Sequence, residues 1–221
     1  FLASVPPPPE PEALSPASNA WQYGYGAYDA EAKRMKSFTP LPHFTGEAWQ
    51  GGSSYPDGKL GWLKLTPLKG HPGDDMEHMV IRRWISPMSG TVNISGEVHH
   101  DTPAGNGIAA RILSSRHGLL GEWPIHNSHV VVDIRELAVE PGDTIDFVVD
   151  IAGQLNSDDF RWSPTIARAA PAPAEAGANY IAAWSAEKDF AGLPDALEPP
   201  LAPWEQYAQV LLLSNEFSFV D

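Results

Sequence analysis

The sequence predicts an all-β fold, a sandwich or a barrel, built from many short strands. Its 221 residues include 22 prolines and 19 glycines, which favour frequent turns over long helices. Several segments alternate apolar and polar residues with a period of two, at short and fairly regular spacing. Neither a βαβ rhythm nor a heptad repeat accompanies them. With 43% apolar residues, the length suits one domain with a real core, plus appendages.

The first segment predicts an extended linker. Residues 1–20 are rich in proline, with four in a row from Pro6 to Pro9, and such runs adopt a polyproline-type conformation. A ligand for a proline-binding domain is the alternative interpretation. The linker is the simpler one, because it needs only a preceding domain.

Residues 21–29, WQYGYGAYD, predict the first strand. Trp21, Tyr23 and Tyr25 would then share one face. Their rings would either stack on sugar rings or pack into the core, with the glycines placed where another backbone comes close. The pattern favours the core interpretation.

A loop-rich region follows, with short strands predicted around residues 43–50 and 61–66 and a turn at 70–75. It contains a run of histidines and acidic residues that could form a metal site. Such a run is more typical of a solvated loop, which is the favoured interpretation. The run consists of His71, Asp74, Asp75, Glu77 and His78.

The centre of the chain predicts a series of strands separated by glycine and proline turns. Residues 91–100 alternate most cleanly, with Val92, Ile94, Gly96 and Val98 predicted to point inward. The other strands of the series are predicted at 79–86, at 108–115, from the turn at 116–118 to Ile125, and at 129–139.

Residues 141–166 are the stretch around which the fold is organised. A Pro-Gly-Asp turn at 141–143 leads into a strand at 144–150, whose alternation predicts one buried face. A polar loop and a second strand follow, in which Phe160 and Trp162 alternate with polar residues. Pro164 near its end indicates an edge or a strand terminus.

The end of the chain predicts a tail and a short helix. Residues 169–202 are rich in alanine and proline and form an extended tail with Trp184 and Phe190 as apolar anchors. A helix is predicted from Pro203 through the segment 203–221, since proline suits the first helical position. Its apolar stripe would dock against this domain or a partner. The stripe includes Trp204, Tyr207, Leu211 and Leu212.

These segments together resemble a known kind of module. The pattern at 141–166 resembles the last two strands of jelly-roll modules found beside carbohydrate-active and planctomycete proteins. The closing WEQYAQVLLLSNEFSFVD is similar to the C-terminus of large planctomycete proteins that also carry cytochrome c domains. The likeness spans roughly residues 21–221, and it includes WQGG at 49–52, GHPG at 70–73, IRRWISPMSGTVNISGEVHH at 81–100 and ARILSSRHGLLGEW at 110–123.

The resemblance implies a jelly-roll-like sandwich of carbohydrate-binding type in a secreted or periplasmic multidomain protein. Stacking on a glycan would fall to exposed aromatic residues, for which the candidates are Trp21, Tyr23, Tyr25, Trp49, Trp62 and Trp123. Modules of this kind often carry a structural Ca²⁺, for which oxygen ligands are available near loop ends. The calcium candidates are Asp143, Asp150, Asn156 and Asp158, whose ordinary alternative role is to cap turns.

Composition and motif searches argue against several other classes. The net charge of −14 argues against nucleic acid, and the absence of cysteine excludes disulfides, zinc–thiolate sites and covalently attached haem within the chain. No apolar run approaches the length of a membrane span. Nucleophile elbows, P-loops and HExxH motifs are absent, and adjacent pairs such as Asp158-Asp159 and His99-His100 would point to opposite faces of a strand.

The sequence therefore predicts a non-catalytic accessory module that binds carbohydrate. The competing hypothesis is a structural or assembly domain that docks cytochrome c or other domains of the same complex and binds no sugar. Exposure of the aromatic residues distinguishes the two, because rings on a concave face favour sugar and buried rings favour assembly.

Overall fold

A computed structural model describes residues 20–170 and 180–192, which form seventeen β-strands and no helix. No helix within these two ranges is long and apolar enough to cross a membrane. The strands are β1 (Trp21–Gly26), β2 (Tyr28–Asp29), β3 (Arg34–Met35), β4 (Thr39–Pro40), β5 (His43–Phe44), β6 (Trp49–Gln50), β7 (Lys64–Leu65), β8 (Lys69–His71), β9 (Met79–Ile85), β10 (Gly90–His100), β11 (Ile108–Ser114), β12 (Gly118–Ile125), β13 (Ser128–Val139), β14 (Thr144–Asp150), β15 (Phe160–Trp162), β16 (Thr165–Arg168) and β17 (Ala183–Ser185).

The predicted all-β sandwich is confirmed. One sheet has six strands in the order β12-β11-β14-β9-β1-β4. The other has nine, in the order β17-β16-β10-β15-β8-β7-β6-β5, with β13 pairing along the free side of β10. The pairs are antiparallel throughout, and β2 and β3 form a separate hairpin. The chain crosses repeatedly between the sheets, with β9, β11, β12 and β14 in the first and β10, β13 and β15 in the second, which is a jelly-roll-like arrangement.

Strand β10 shows how local alternation builds the core between the sheets. Val92, Ile94 and Val98 are fully buried, as the alternation predicts, while Ser95 and Glu97 face solvent. This strand pairs with β13 along one side and with β15 and β16 along the other. A central strand so placed buries the apolar side chains of its inward face, whereas Gly96, also predicted to point inward, is only partly buried.

Strand β14 is buried on both faces, whereas the sequence predicts burial of one face only. Ile145, Phe147 and Val149 pack between the two sheets. On the opposite face Val148 joins a second apolar cluster, which is covered by side chains from the β2–β3 hairpin and its flanks. The alternation within β14 cannot indicate such a cover, because the covering residues lie more than a hundred positions earlier in the chain.

The sandwich continues past the predicted boundary at residue 168. Strand β17 pairs with β16 and adds an edge to the nine-stranded sheet. The Trp184 side chain in β17 is fully buried and meets the Trp84 ring edge-on, with the ring centroids 5.2 Å apart. This part of the predicted tail is therefore a structural strand. Residues 1–19 of the linker and the helix with its docking stripe at Trp204, Tyr207, Leu211 and Leu212 lie outside the described residues.

Candidate functional site

Three of the six aromatic residues proposed for sugar stacking are core residues. Trp21, Tyr23 and Trp49 are at most 6% exposed. Trp21 packs on Phe147, and the Tyr23 and Trp49 rings are stacked with their centroids 6.1 Å apart. Trp21 and Tyr23 lie on β1 of the six-stranded sheet and Trp49 lies on β6 of the nine-stranded sheet, and all three belong to the core cluster between the sheets. A glycan has no access to these rings.

The glycines of β1 lie where the backbone of another segment comes close, as the sequence predicts. A Cβ on Gly24 would lie 2.5 Å from the carbonyl oxygen of Thr39 in the paired strand β4. No side chain fits that space. The spacing of aromatic residues and glycines in WQYGYG is therefore explained by packing.

The other three candidates are more accessible, and they are spread over the molecule. Tyr25 stacks on His78, with the ring centroids 5.4 Å apart, and Trp123 is half-buried against the core. Trp62 is 45% exposed, the most exposed tryptophan among the described residues. Tyr25 borders one pocket, of about 540 Å³, with Thr39 and Asp57 also in its lining. Trp62, the most exposed ring of the six, borders another pocket with a mixed aromatic and polar lining.

This pocket, called the Trp62 pocket, has a volume of about 510 Å³. It lies at the β7–β8 side of the nine-stranded sheet, between the loop that precedes β7 and the loop that joins β14 to β15. The chain positions of its walls are about ninety residues apart. The lining consists of Tyr55, Trp62, Lys64, His71, Leu155, Asn156, Ser157 and Asp159.

An aromatic corner forms one wall of the Trp62 pocket. The Tyr55 hydroxyl donates a hydrogen bond to the backbone carbonyl of Trp62 at 3.0 Å, and the two rings meet edge-on at 5.5 Å. The Lys64 ammonium lies 3.8 Å from the centre of the Tyr55 ring. Burial, with a further contribution from Asp159, raises the pKa of Tyr55 to about 12, so its phenol stays neutral. The corner is thus held in place by three residues of one short segment.

His71 provides a polar acceptor beside this corner. Its Nδ1 lies 2.6 Å from the backbone carbonyl of Pro72. A carbonyl only accepts, so Nδ1 carries a hydrogen, and in the tautomer with its single hydrogen on Nδ1 the acceptor of the ring is Nε2. The ring lies 6.3 Å from the Trp62 ring and is largely buried. His71 is therefore a lining residue of the pocket, whereas the sequence places it in a possible metal run.

The opposite wall is a loop that is braced from inside the protein. Asp158 is fully buried, and its Oδ2 accepts the backbone N–H of Asn156 at 2.7 Å. His100, also fully buried, donates from Nε2 to the carbonyl of Ser157 at 2.8 Å, while its Nδ1 accepts the N–H of Asn127. Asp159 is exposed and lines the pocket, so Asp158 and Asp159 do face opposite ways, although both lie in the loop before β15 rather than on a strand as predicted.

The environment of Asp158 is unusual for a carboxylate. Burial raises its pKa, against the opposing effects of the Asn156 hydrogen bond and of the nearby His71 and His100. Its Oδ1 has no hydrogen-bond partner among the described residues. The buried carboxyl fixes the loop from behind and does not reach a ligand in the pocket.

The four calcium candidates are not brought together. Asp143 and Asp150 flank the two ends of the strand segment 144–150, and each has an arginine partner, Arg116 for Asp143 and Arg111 for Asp150. Asn156 and Asp158 belong to the loop of the Trp62 pocket. No group of three His, Cys, Asp or Glu side chains within residues 20–170 and 180–192 has the geometry to hold a metal ion.

The side chains of the histidines and acidic residues at 71–78 also do not converge on one site. Asp75 accepts the backbone N–H of Glu77 and bonds to His78 within a tight turn. Glu77 pairs with Lys36 at 3.1 Å on the surface. His71 alone turns inward to the pocket, so the run behaves as the solvated loop that its composition favours.

Asp143 caps a turn, which is the role that the sequence indicates as the alternative to calcium binding. Its Oδ2 accepts the backbone N–H of Glu140 at 2.9 Å and the Nε–H of Arg116 at 2.6 Å. Burial raises the pKa of this carboxyl, but the hydrogen bonds and the charge of Arg116 outweigh that effect and hold the pKa below its usual value. A lowered pKa means that the folded state prefers the ionised carboxylate, which stabilises the fold above the pKa of the unfolded chain.

We expect Asp143→Ala to lower the free energy of unfolding at pH 7 by about 0.5–1 kcal/mol, a small value because solvent screens the pair. The difference from wild type should shrink as the pH falls below about 3.9 and the carboxyl becomes protonated. Urea denaturation of both proteins at pH 7 and in acid measures it. A difference that is unchanged in acid would show that the charge of Asp143 contributes nothing.

Comparison with known proteins yields fold likenesses only. No protein-family model and no curated protein matches the chain. Among solved structures, a Podospora anserina GH26-CBM35 β-(1,4)-mannanase is 12% identical with a TM-score of 0.29, over 70% of this chain and 29% of that chain. The PA14 domain of the MpAFP antifreeze protein is 12% identical with a TM-score of 0.30, over 75% of this chain and 88% of that one. The chain thus spans under a third of the mannanase, and neither likeness carries an argument about the site.

Proposed function

We propose that this chain is a non-catalytic carbohydrate-binding module and that the Trp62 pocket is its glycan site. The observation that supports the proposal is the exposed Trp62 indole on an open pocket whose other walls are polar. Ligand sites of this kind combine an apolar surface with a few polar groups that fix orientation. The pocket volume of about 510 Å³ suits a sugar unit or two rather than a long chain.

The chemistry of a sugar ring matches the two kinds of wall. One face of the ring carries polarised C–H groups, which stack on the negative face of an indole. The ring edge carries hydroxyls, each of which donates one hydrogen bond and accepts others. Asp159 and His71 Nε2 accept, Lys64 donates, and the Asn156 amide does both. The lining thus offers both partners that a hydroxyl requires.

The arrangement of carboxylates supports a binding role rather than hydrolysis. Glycosidases of the common type use two carboxyl groups that face one cleft. Among the described lining residues of the Trp62 pocket, Asp159 is the only carboxylate, since its neighbour Asp158 is turned inward and fully buried. We therefore propose that the module binds its glycan without cleaving it.

The test is a glycan array followed by calorimetry with the best oligosaccharide, using the full chain. Trp62→Ala is expected to weaken binding at least about tenfold, the loss of roughly 1.4 kcal/mol that removal of an aromatic stacking contact produces. Trp123→Ala is the matched control, because it removes a half-buried tryptophan of β12 that is not part of the pocket lining, and it should leave the affinity unchanged.

Two outcomes would contradict the proposal: no binding of any glycan by the folded wild type, or equal affinities for wild type and Trp62→Ala. The array is read once with calcium and once with chelator, since Asn156 and Asp158 lie in the loop that forms one wall. Loss of binding in chelator would support a calcium ion bound at that loop.

A further inference from the structure

A second cavity lies on the outer face of the six-stranded sheet, away from the Trp62 pocket. It has a volume of about 270 Å³ and lies between strand β3 of the hairpin and the ends of β9, β11 and β14. Its lining includes two arginines and three hydroxyl side chains. The lining consists of Arg34, Met35, Arg83, Leu113, Ser114, Ser115, Thr144 and Asp146. We refer to it as the Arg34 cavity.

Arg83 is fixed at the floor of the Arg34 cavity. Its Nε and Nη2 donate to the two oxygens of Asp146 at 2.7 and 2.9 Å, and its guanidinium lies 3.9 Å from the centre of the Phe38 ring. These contacts neutralise Asp146 and hold the guanidinium plane in one orientation. Nη1 of Arg83 forms no hydrogen bond to any described residue, which leaves one edge of the group free to donate.

Arg34 reaches across the cavity from the hairpin. Its Nη1 donates to the backbone carbonyl of Ser115 at 2.5 Å, and it forms no ion pair with a carboxylate in the described ranges. Asp146 offsets Arg83, so the charge of Arg34 remains uncompensated in the lining. A cationic cavity is unexpected in a chain whose net charge is −14.

The hydroxyl groups add further donors. Ser115 Oγ accepts the backbone N–H of Thr144 at 2.9 Å. Ser114 Oγ accepts the N–H groups of Arg116 and His117, each at 3.2 Å. Both oxygens therefore already act as acceptors, and their hydroxyl hydrogens have no acceptor among the described contacts. A hydroxyl in this state is satisfied by donating to an incoming oxygen.

We propose that the Arg34 cavity binds a tetrahedral oxyanion, a sulfate or phosphate group. The available donors approach from different elements: Arg34 from the hairpin, Arg83 from the sheet and Ser115 from the end of β11. Guanidinium groups suit such oxygens, because their planar forks donate paired, charge-assisted hydrogen bonds. The group is either a free ion or the sulfate or phosphate ester of a larger molecule, since the same donors serve both.

The experiment is isothermal titration of the full chain with sodium sulfate and sodium phosphate at constant ionic strength, with chloride as the reference salt. Direct titration is needed because sulfate also stabilises folded proteins by exclusion from their surfaces. Wild type should show saturable binding that Arg34→Gln weakens at least about tenfold, the loss expected for a charge-assisted contact. Arg135→Gln is the matched control, an exposed arginine that pairs with Asp133 on β13, and should bind as wild type does.

A second arm identifies the source of the oxyanion. A sulfated monosaccharide is compared with its unsulfated parent and with inorganic sulfate; tighter binding of the ester indicates a glycan ligand, and tighter binding of the inorganic ion indicates a free one. The proposal is overturned if wild type binds neither the ions nor the ester, or if Arg34→Gln binds them equally well. These results are separable from those at the Trp62 pocket, because Arg34→Gln leaves that pocket intact and Trp62→Ala leaves this cavity intact.

Discussion

Replacing Trp184 by alanine is expected to lower the free energy of unfolding by about 3–5 kcal/mol. The indole is fully buried, it meets the Trp84 ring edge-on at 5.2 Å, and the Arg168 guanidinium lies 5.7 Å from its ring. Alanine would leave a cavity between the sheets. The cavity would stay open, because the antiparallel pairing of β16 and β17 holds the backbone in place. Urea denaturation followed by fluorescence or circular dichroism measures the change.

Two further variants control this measurement. Trp184→Phe should cost less than alanine, because it keeps an aromatic ring and removes an indole N–H that has no acceptor among the described residues. Trp62→Ala removes an exposed tryptophan, so its effect should stay within about 0.5 kcal/mol. If Trp184→Ala were no more harmful than Trp62→Ala, residues 183–185 would not be a strand of the sandwich in solution.

The second large effect is expected at the ion pair of Arg111 and Asp150. Asp150 is 1% exposed, and its carboxylate pairs with Nη1 of Arg111, while its other oxygen accepts the backbone N–H of Ala152 at 2.7 Å. Asp150→Ala would leave the charge of a largely buried guanidinium without its buried partner. We expect a loss of about 3 kcal/mol, since breaking one side of a buried pair leaves an uncompensated charge.

The same arginine provides the control for this prediction. Its Nε donates to Glu122 at 2.7 Å, and that carboxylate is 43% exposed. Glu122→Gln should therefore change stability by at most about 1 kcal/mol. The double variant Arg111→Met with Asp150→Leu should recover much of the lost stability. Apolar side chains of similar volume can replace a buried ion pair, because they leave no buried charge without a partner. Equal effects of Asp150→Ala and Glu122→Gln would contradict the assignment of Asp150 as the buried partner.

Asp150 also shows that a position near a loop end does not by itself bring oxygen-bearing residues together in space. The sequence offers it as a calcium ligand together with Asp143, yet the strand between them keeps the two apart. Each carboxylate has a guanidinium partner that comes from another strand or loop. Pairing of this kind depends on the neighbours of β14 in the sheet, which alternation within the strand does not reveal.

The two adjacent arginines of β9 also show what alternation within a strand cannot reveal, namely which face of the strand is buried. Alternation predicts that Arg82 and Arg83 point in opposite directions. Because each face of β9 then carries one arginine, the residue composition of the two faces does not show which of them points into the core. In the structure Arg82 lies between the sheets and donates to the carbonyls of Thr66 and Lys69 at 2.7 and 3.0 Å. Burial lowers its pKa to about 10. Arg83 faces outward to the Arg34 cavity.

The sequence by itself determined the strands from residue 79 to residue 162, the turns between them and the alternation that fills the core. These features are local, because side chains two positions apart share a face and glycine and proline mark the turns. Only the tertiary structure decided which aromatic rings are exposed and which polar groups meet them. Trp62 and Asp159 lie on one pocket because β15 pairs with β8, and β8 with β7. That pairing joins segments almost a hundred residues apart, and it is fixed by packing of the whole sandwich rather than by the pattern of any one strand.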